Sequence, residues 1–361
     1  MNSNRRLSSP QTGLSLVELM IAITIGFIVV AGVGYLYLGS SQTFKSQDSL
    51  SSIQENSRFA LDTMSRNIRM AGYMGCGNLA TSTPGNITSA PTIAPVTPGT
   101  AVQVFPGGAG WTAPAGVTRM AGDVLRISGA DPSGVSLTGP ALPGSAAVVH
   151  VAGNPGNFQA NDVLLISDCT NAVIFVTNGV SSSSGTVSLA HGSSVNTVPY
   201  LSATYAFNPP TTVPGAQVYA FRQTDYFVGC PTASLSGGQC SVPLALYQVI
   251  NNGVPQALVD NVENMTFLLG MNSSVAPAPP LVGSYQSPVA VAAAGTWAKV
   301  LTVQVHLLMV GGPASEGRSN VAVTSQPYSF IVNGSTYATY PADRRMRQDA
   351  TATIAIRNRL P

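Results

Sequence analysis

The feature that most constrains this chain is an apolar run near its amino terminus. It is entered through Gly13-Leu14-Ser15-Leu16-Val17-Glu18 and continues to Leu38. The 20 residues Leu19–Leu38 carry no charge. As a helix they span about 30 Å, enough to cross the hydrocarbon core of a bilayer. A short polar leader with Arg5 and Arg6 precedes them, and basic residues favour the cytoplasmic side. A secretory signal peptide places its cleavage site after the apolar region. Here the small residue, Gly13, comes before it, so cutting there would leave the helix on the mature protein with Leu14 as the new amino terminus. Glu18 is the one carboxylate in the run. Such a group costs about 2.5–3.5 kcal/mol within a membrane unless it is paired. It must snorkel to the interface or find a cation.

Gly-Leu-Ser-Leu-Val-Glu ahead of an apolar helix resembles the class III signal of type IV pilins and type II secretion pseudopilins. The resemblance implies that a prepilin peptidase cuts after Gly13 and methylates the amine of Leu14. Leu14 stands where that family most often has phenylalanine, and it keeps a large apolar side chain there. The resemblance also implies a partner for Glu18, the Leu14 amine of a neighbouring subunit. A chain that needs a second copy to neutralise its charge is built for assembly.

At 361 residues the chain has room for one large domain or two smaller ones beyond the helix. Only 8% of its residues are charged, against a usual ~25%. With 45% hydrophobic residues it lacks the low-hydrophobicity, high-charge signature of disorder. Its 36 glycines and 26 prolines point to a β-rich, loop-rich extracytoplasmic domain. A net charge of +2 gives no electrostatic case for nucleic-acid binding. Four cysteines, Cys76, Cys169, Cys230 and Cys240, are an even count in a presumed exported domain, which predicts disulfides. Three connectivities are open. The short Cys230-to-Cys240 interval, with Pro231, Gly237 and Gly238, favours a local loop and leaves Cys76 with Cys169. Against zinc, there is no CxxC pair, and His150, His191 and His306 are scattered. No metal or cofactor is expected.

Residues 14–72 read as one helix of two halves. The first is apolar all round, as a membrane or filament-core helix is. Gly26, Gly32, Gly34 and Gly39 interrupt it, serving either close helix packing or local loosening. In the second half Leu50, Ile53, Leu61, Met64, Ile68 and Ala71 form a stripe able to pack on a globular domain. Asp62 and Arg66 are spaced to pair, while Arg58, Arg66 and Arg69 form a basic face whose simplest account is a solvated surface. The helix is expected to end near Gly72. Residues 78–116 give only one clear extended piece, Val102–Phe105. Short strands are then expected at Asp123–Ser128, Ala147–Val151, Asp162–Ser167, Ala172–Thr177, Thr186–Ala190, Ala203–Phe207 and Gln217–Phe221, with residues 181–185 as a turn. Leu244–Ile250 and Gln256–Val259 read as a hairpin through Asn251-Asn252-Gly253. Val262–Leu269 continues the sheet, Val275–Ala294 reads as a surface loop, and Trp297–Val310 reads as a buried central strand. Tyr328–Val332 and Ala352–Arg357 are expected to close the sheet.

Several stretches carry a narrower resemblance, to the PilW family of minor pilins. They are Arg58–Leu61 with Asn67–Tyr73 and Gly75-Cys76, Asp162–Cys169, Leu246-Tyr247 through Leu258–Met265, and Arg344, Arg345 and Arg347 followed by Ile356–Arg359. The segment around 246–265 is also similar to the pseudopilin GspJ. The resemblance implies an α+β fold, a long amino-terminal spine helix packed on antiparallel sheet. It implies a leader over 1–13, a transmembrane or filament-core helix over 14–40, an amphipathic half over 41–76 and a β-rich periplasmic or extracellular domain over 77–361. The expected function is that of a minor pilin that primes assembly at or near the pilus tip, with a GspJ-like pseudopilin as the alternative. An adhesin or DNA-binding module is the alternative from another class. Expected partners are the major pilin, other minor pilins, a tip adhesin and prepilin peptidase. The expected location is the inner membrane, amino terminus cytoplasmic, and then the pilus.

No catalytic constellation is expected. Pro106-Gly107-Gly108-Ala109-Gly110 lacks the setting and lysine of a phosphate loop, there is no Gly-x-Ser-x-Gly elbow, and the carboxylates are dispersed. Asp343 with Arg344, Arg345 and Arg347 is read as a salt-bridged strand edge or interface in preference to a phosphate- or lipid-binding cluster.

Overall fold

The computed structural model describes residues 13, 15–75, 77–78, 85–86, 93–97, 99–139, 148–168, 170–192, 195–196, 207, 215–275, 278–311, 327–343 and 345–359. One helix, α1 (Leu16–Arg69), runs for 54 residues, about 80 Å at 1.5 Å per residue. It passes unbroken through Gly26, Gly32, Gly34 and Gly39, and a Cβ at any of the four would meet nothing within 4 Å. Within one chain, then, these glycines neither loosen the helix nor serve packing. In the apolar half, the Thr24 hydroxyl donates to the carbonyls of Met20 and Ile21 at 2.9 Å. That polar group is satisfied inside its own helix, as an apolar surround requires.

The second half of α1 buries Ser49, Ile53, Ala60, Met64 and Ile68. The buried stripe is therefore narrower than the sequence suggests: Leu50 stays 38% exposed and Leu61 is only partly buried. Each fully buried side chain such as Ile53 or Met64 contributes about 1.5–3 kcal/mol. After Met70, Gly72 adopts the left-handed region at φ 77°. Its N–H donates to Ser128 O at 2.8 Å, tying the helix end to the sheet.

The principal strands up to the family of loops at 232–244 are β1 (Val102–Phe105), β2 (Val117–Ala130), β3 (Val148–Val151), β4 (Val163–Ser167), β5 (Ala172–Val176), β6 (Gly179–Ser183), β7 (Thr186–Ala190) and β8 (Gln217–Pro231). Beyond it come β9 (Ala245–Ile250), β10 (Gln256–Asp260), β11 (Val262–Asn272), β12 (Val282–Gln286), α2 (Pro288–Ala294), β13 (Val300–Val310), β14 (Tyr328–Val332), β15 (Ser335–Tyr340) and β16 (Arg347–Ala355).

Strand β8 organises the larger sheet, whose order is β10-β9-β8-β4-β5, with β2 also on β8 and β1 on β2. Its first residues pair with β4, and the remainder pairs with both β2 and β9. The second sheet runs β12-β11-β13-β16. The main core joins Met64 and Ile68 of α1 to Leu246 and Val259 of the first sheet and Val303, Val305 and Leu307 of the second. On the opposite face of the second sheet, Phe330 and Val332 of the β14–β15 hairpin close over Leu268 and Leu308. A separate lobe, β6-β7-β3, packs Val149 and Leu189 against Leu164, Phe175 and Val218.

The α+β fold is as expected, and four local expectations need correction. Residues 275–294 are not one loop, because Val282–Gln286 pairs with β11 and Ser287-Pro288 starts a short helix. Ser287 Oγ accepts from Ala290 N–H, and Pro288 needs no amide at the first helical position. Residues 181–183 are strand, with the turn confined to Ser184-Gly185. Tyr328–Val332 pairs with β15 in a separate hairpin and does not close the sheet. Strands β2 and β8 extend well beyond their expected ends because polar residues inside them find partners. The strand expected at Ala203–Phe207 lies outside the described residues except for Phe207.

Candidate assembly site

The amino-terminal end of α1 is built by local chemistry. Ser15 sits in extended backbone just before the helix, and its Oγ accepts a hydrogen bond from Glu18 N–H at 3.3 Å. Ser15-Leu16-Val17-Glu18 is thus a capping-box pattern, a start signal that the emphasis on charge and cleavage overlooked. Glu18 lies in the first turn, where the helix dipole favours an anion. It is exposed, and among the described residues its carboxylate has no partner. Gly13 has open space around it, while Leu14 lies outside the described residues.

Behind Glu18 the apolar surface is bare. Leu16, Phe27, Ile28 and Leu36 are each more than 70% exposed. The next charged residue is Lys45. This is the one helix in the described chain long and apolar enough to cross a membrane, and its most apolar window is wholly unburied. A cylinder this apolar needs lipid or other helices around it.

At the other end of α1, the protein domain is fastened to the helix by residues that the sequence marked without assigning their work. Asn358 Nδ2 donates to Ala71 O at 3.1 Å and to Met70 O at 3.4 Å. Buried Arg359 donates to the carbonyls of Trp297, Val300 and Gly99. Burial lowers the pKa of this guanidinium to about 10, so it remains the charged form near neutrality. Asn67 Nδ2 donates to the Tyr226 hydroxyl at 2.5 Å.

The arginine cluster is an internal salt-bridge knot. Arg347, with a side chain 3% exposed, bonds Glu263 through Nε at 2.5 Å and Asp343 through Nη2 at 2.6 Å. Arg345 reaches Glu263 at 3.2 Å. The Arg347 hydrogen bond holds the Asp343 carboxyl below the usual carboxylate range. Burial pulls the Arg347 pKa down, but its bonds to Asp343 and Glu263 outweigh that and leave it raised. Arg344 lies outside the described residues. Asp62 and Arg66 pair on the exposed face of α1, as their spacing predicts.

Cys230 and Cys240 form a disulfide, closing the loop that the short interval suggested. Cys76 and Cys169 lie outside the described residues. Among the described residues, no three His, Cys, Asp or Glu side chains are grouped to hold a metal ion.

Two family models match. One, described as Prokaryotic N-terminal methylation motif, covers residues 8–34, and the other, described as Type IV Pilus-assembly protein W, covers residues 235–358. Comparison with curated proteins and with solved structures gave no match. The first family match holds Gly13, Glu18 and the exposed apolar helix. The second holds β9 to β16, the salt-bridge knot and Asn358. Residues 235–358 thus match the PilW family behind a prepilin-type methylation motif at residues 8–34, an arrangement that supports a type IV pilus minor pilin.

Proposed function

We propose that the protein acts as a PilW-like minor pilin that is stored in the inner membrane and then drawn into a pilus, where it helps prime assembly at or near the tip. In this reading residues 1–13 are a cytoplasmic leader removed by prepilin peptidase, Leu14 is methylated, and residues 14–40 form the membrane and filament-core helix. Residues 41–76 form the amphipathic half of the spine, and residues 77–361 form a domain that is periplasmic before assembly and extracellular afterwards. Glu18 pairs with the Leu14 amine of a neighbouring pilin. Its partners are the major pilin, other minor pilins and a tip adhesin. A Cys76–Cys169 bridge would tie the helix end to the sheet.

The observation that carries this reading is the exposed apolar half of α1 with one unpartnered carboxylate in its first turn. A merely anchored domain gains nothing from that carboxylate, because an unpaired charge opposes insertion. Mass spectrometry of protein recovered from sheared pili tests the processing step. The expected species begins at Leu14 and carries a methyl group on its amine. Assembled protein that still begins at Met1 contradicts the reading.

A second role, surface binding, is supported by the β3–β6–β7 lobe. That lobe has its own apolar core, lies outside both family matches and presents exposed Ser181–Ser183.

A further inference from the structure

Away from the assembly site, a cleft of about 620 Å³ lies where the β14–β15 hairpin, the start of α2, β11 and the Pro106-Gly107 turn meet. Its volume falls in the ordinary range for small-ligand sites, about 300–1,000 Å³. Pro106, Pro288, Val289 and Val332 supply apolar walls. At its floor lies Asp123, only 2% exposed. We propose that this cleft binds an aliphatic ammonium group, with Asp123 as the counter-charge. The inference stands apart from the assembly reading, since it uses none of the same residues.

Asp123 Oδ1 accepts from Gly107 N–H at 2.9 Å and from the Tyr337 hydroxyl at 2.8 Å, and Oδ2 accepts from Thr266 Oγ1 at 2.7 Å. All three donors are neutral. Among the described residues Asp123 takes part in no ion pair. The nearby Arg119 directs Nη1 to Gly122 O at 2.9 Å. Buried carboxylates are normally paired, and this one is instead held in place by neutral donors from three elements, with Arg119 nearby but in no salt bridge to it.

The remaining acceptor capacity selects the cation. A carboxylate offers about four lone-pair sites, and three are taken here. One site on Oδ2 suits a single N–H of an ammonium. A guanidinium prefers to engage both carboxylate oxygens in parallel, and that geometry is occupied. Ser287, Asn333, Ser335 and Thr336 add polar groups to a lining whose walls of proline and valine are apolar. Those walls suit the methylene stem behind an ammonium, as lysine stems lie along apolar surface. Tyr337, whose hydroxyl holds Asp123, lines the same cleft and is 41% exposed as a residue.

Such a group has two sources, a free aliphatic amine or a lysine side chain on another protein, and the test separates them. The full chain in a neutral maltoside detergent, labelled at tyrosine and threonine, is titrated with pentylammonium and Nα-acetyl-lysine methylamide, with pentanol as the uncharged control. Both cations are expected to shift the Tyr337 and Thr266 signals saturably below about 20 mM, with pentanol at least tenfold weaker. Tighter binding of the lysine amide assigns the site to a protein lysine, and tighter binding of pentylammonium assigns it to a free amine. Val289→Trp, at a residue 63% exposed on the cleft wall, is expected to abolish the shifts without disturbing the fold. Asp123→Asn is expected to weaken them tenfold or more. Saturation by pentanol equal to that by pentylammonium, no shift by either cation up to 20 mM, or full binding to Val289→Trp would overturn the proposal.

Discussion

Asn358 Nδ2 donates to Ala71 O at 3.1 Å, joining two residues 287 positions apart. Met70 and Ala71 directly follow Arg69, the last residue of α1, and a side chain from beyond β16 donates to both carbonyls, holding the chain just past the helix to the segment that follows the second sheet.

Asn358→Ala removes both bonds to the helix end. At about 0.5–1.5 kcal/mol for each net hydrogen bond, the expected loss is about 1–3 kcal/mol. Amide hydrogen exchange should quicken around residues 66–73, while β13 exchange follows only the global change. Unchanged exchange at the helix end contradicts the capping role.

Gly122 has φ 72°, and a Cβ there would stand 2.3 Å from Met265 O. Gly122→Ala therefore forces β2 away from β11, with an expected cost of about 1–3 kcal/mol. Thermal unfolding of the full chain in detergent measures it. Gly110 also has a positive φ but open space around it, so Gly110→Ala is expected to cost clearly less. Equal losses would show that backbone conformation alone, and not the contact with Met265, sets the requirement for glycine.

The salt-bridge knot predicts a pH dependence with a fixed sign. Asp343 has its pKa lowered in the fold, chiefly by its hydrogen bond from Arg347. Its contribution is complete above the ordinary aspartate value, about 3.9, and is lost as pH falls through the lower folded value. Asp343→Asn should flatten the stability profile below about pH 4 and leave its slope above pH 5 unchanged. A variant whose acid profile overlays the parent contradicts the assignment.

The bridge between Cys230 and Cys240, 10 positions apart, closes a short loop. In the chain-entropy picture it contributes about 2–3 kcal/mol. Cys230→Ser with Cys240→Ser should lower the free energy of unfolding, read from denaturant melts, by about that amount and keep the fold. Loss of expression of the folded domain would mean that the loop directs folding of β8 as well.

What could be read in the sequence follows from how local the cause is. The spine helix was legible because its apolar run and its amphipathic stripe are periodic in sequence. The Gln256–Asp260 hairpin partner was legible from the turn at Asn251-Asn252-Gly253. Strand β8 was half read, since Arg222 and Asp225 interrupt its apolar pattern. Asp225 takes both Arg126 Nε and Nη2 at 2.7 Å, a pairing across 99 positions that no local pattern reveals. The cleft floor is more remote still, joining Asp123 to Thr266 and Tyr337 over 143 and 214 positions. At the candidate assembly site, Gly13 and Glu18 stand out by size and charge, their roles and that of Leu14 rest on the family resemblance, and the Ser15 cap is a local pattern that neither supplies. The roles of Glu263 and Asn358 depend on tertiary neighbours.

The central claim is that Glu18 serves assembly and not anchoring. Removing its charge makes membrane insertion easier by at most about 2.5–3.5 kcal/mol, so an anchored domain should lose nothing by Glu18→Ala. An assembling pilin would leave the Leu14 amine of its neighbour uncompensated in an apolar filament core, where an unpaired charge is costly. The decisive measurement is an immunoblot of membrane and sheared-filament fractions from cells expressing the parent or Glu18→Ala. The account predicts normal membrane levels and normal leader cleavage, with the variant absent from sheared filaments and piliation unsupported. Entry of Glu18→Ala into filaments at the level of the parent, with full support of piliation, would contradict it.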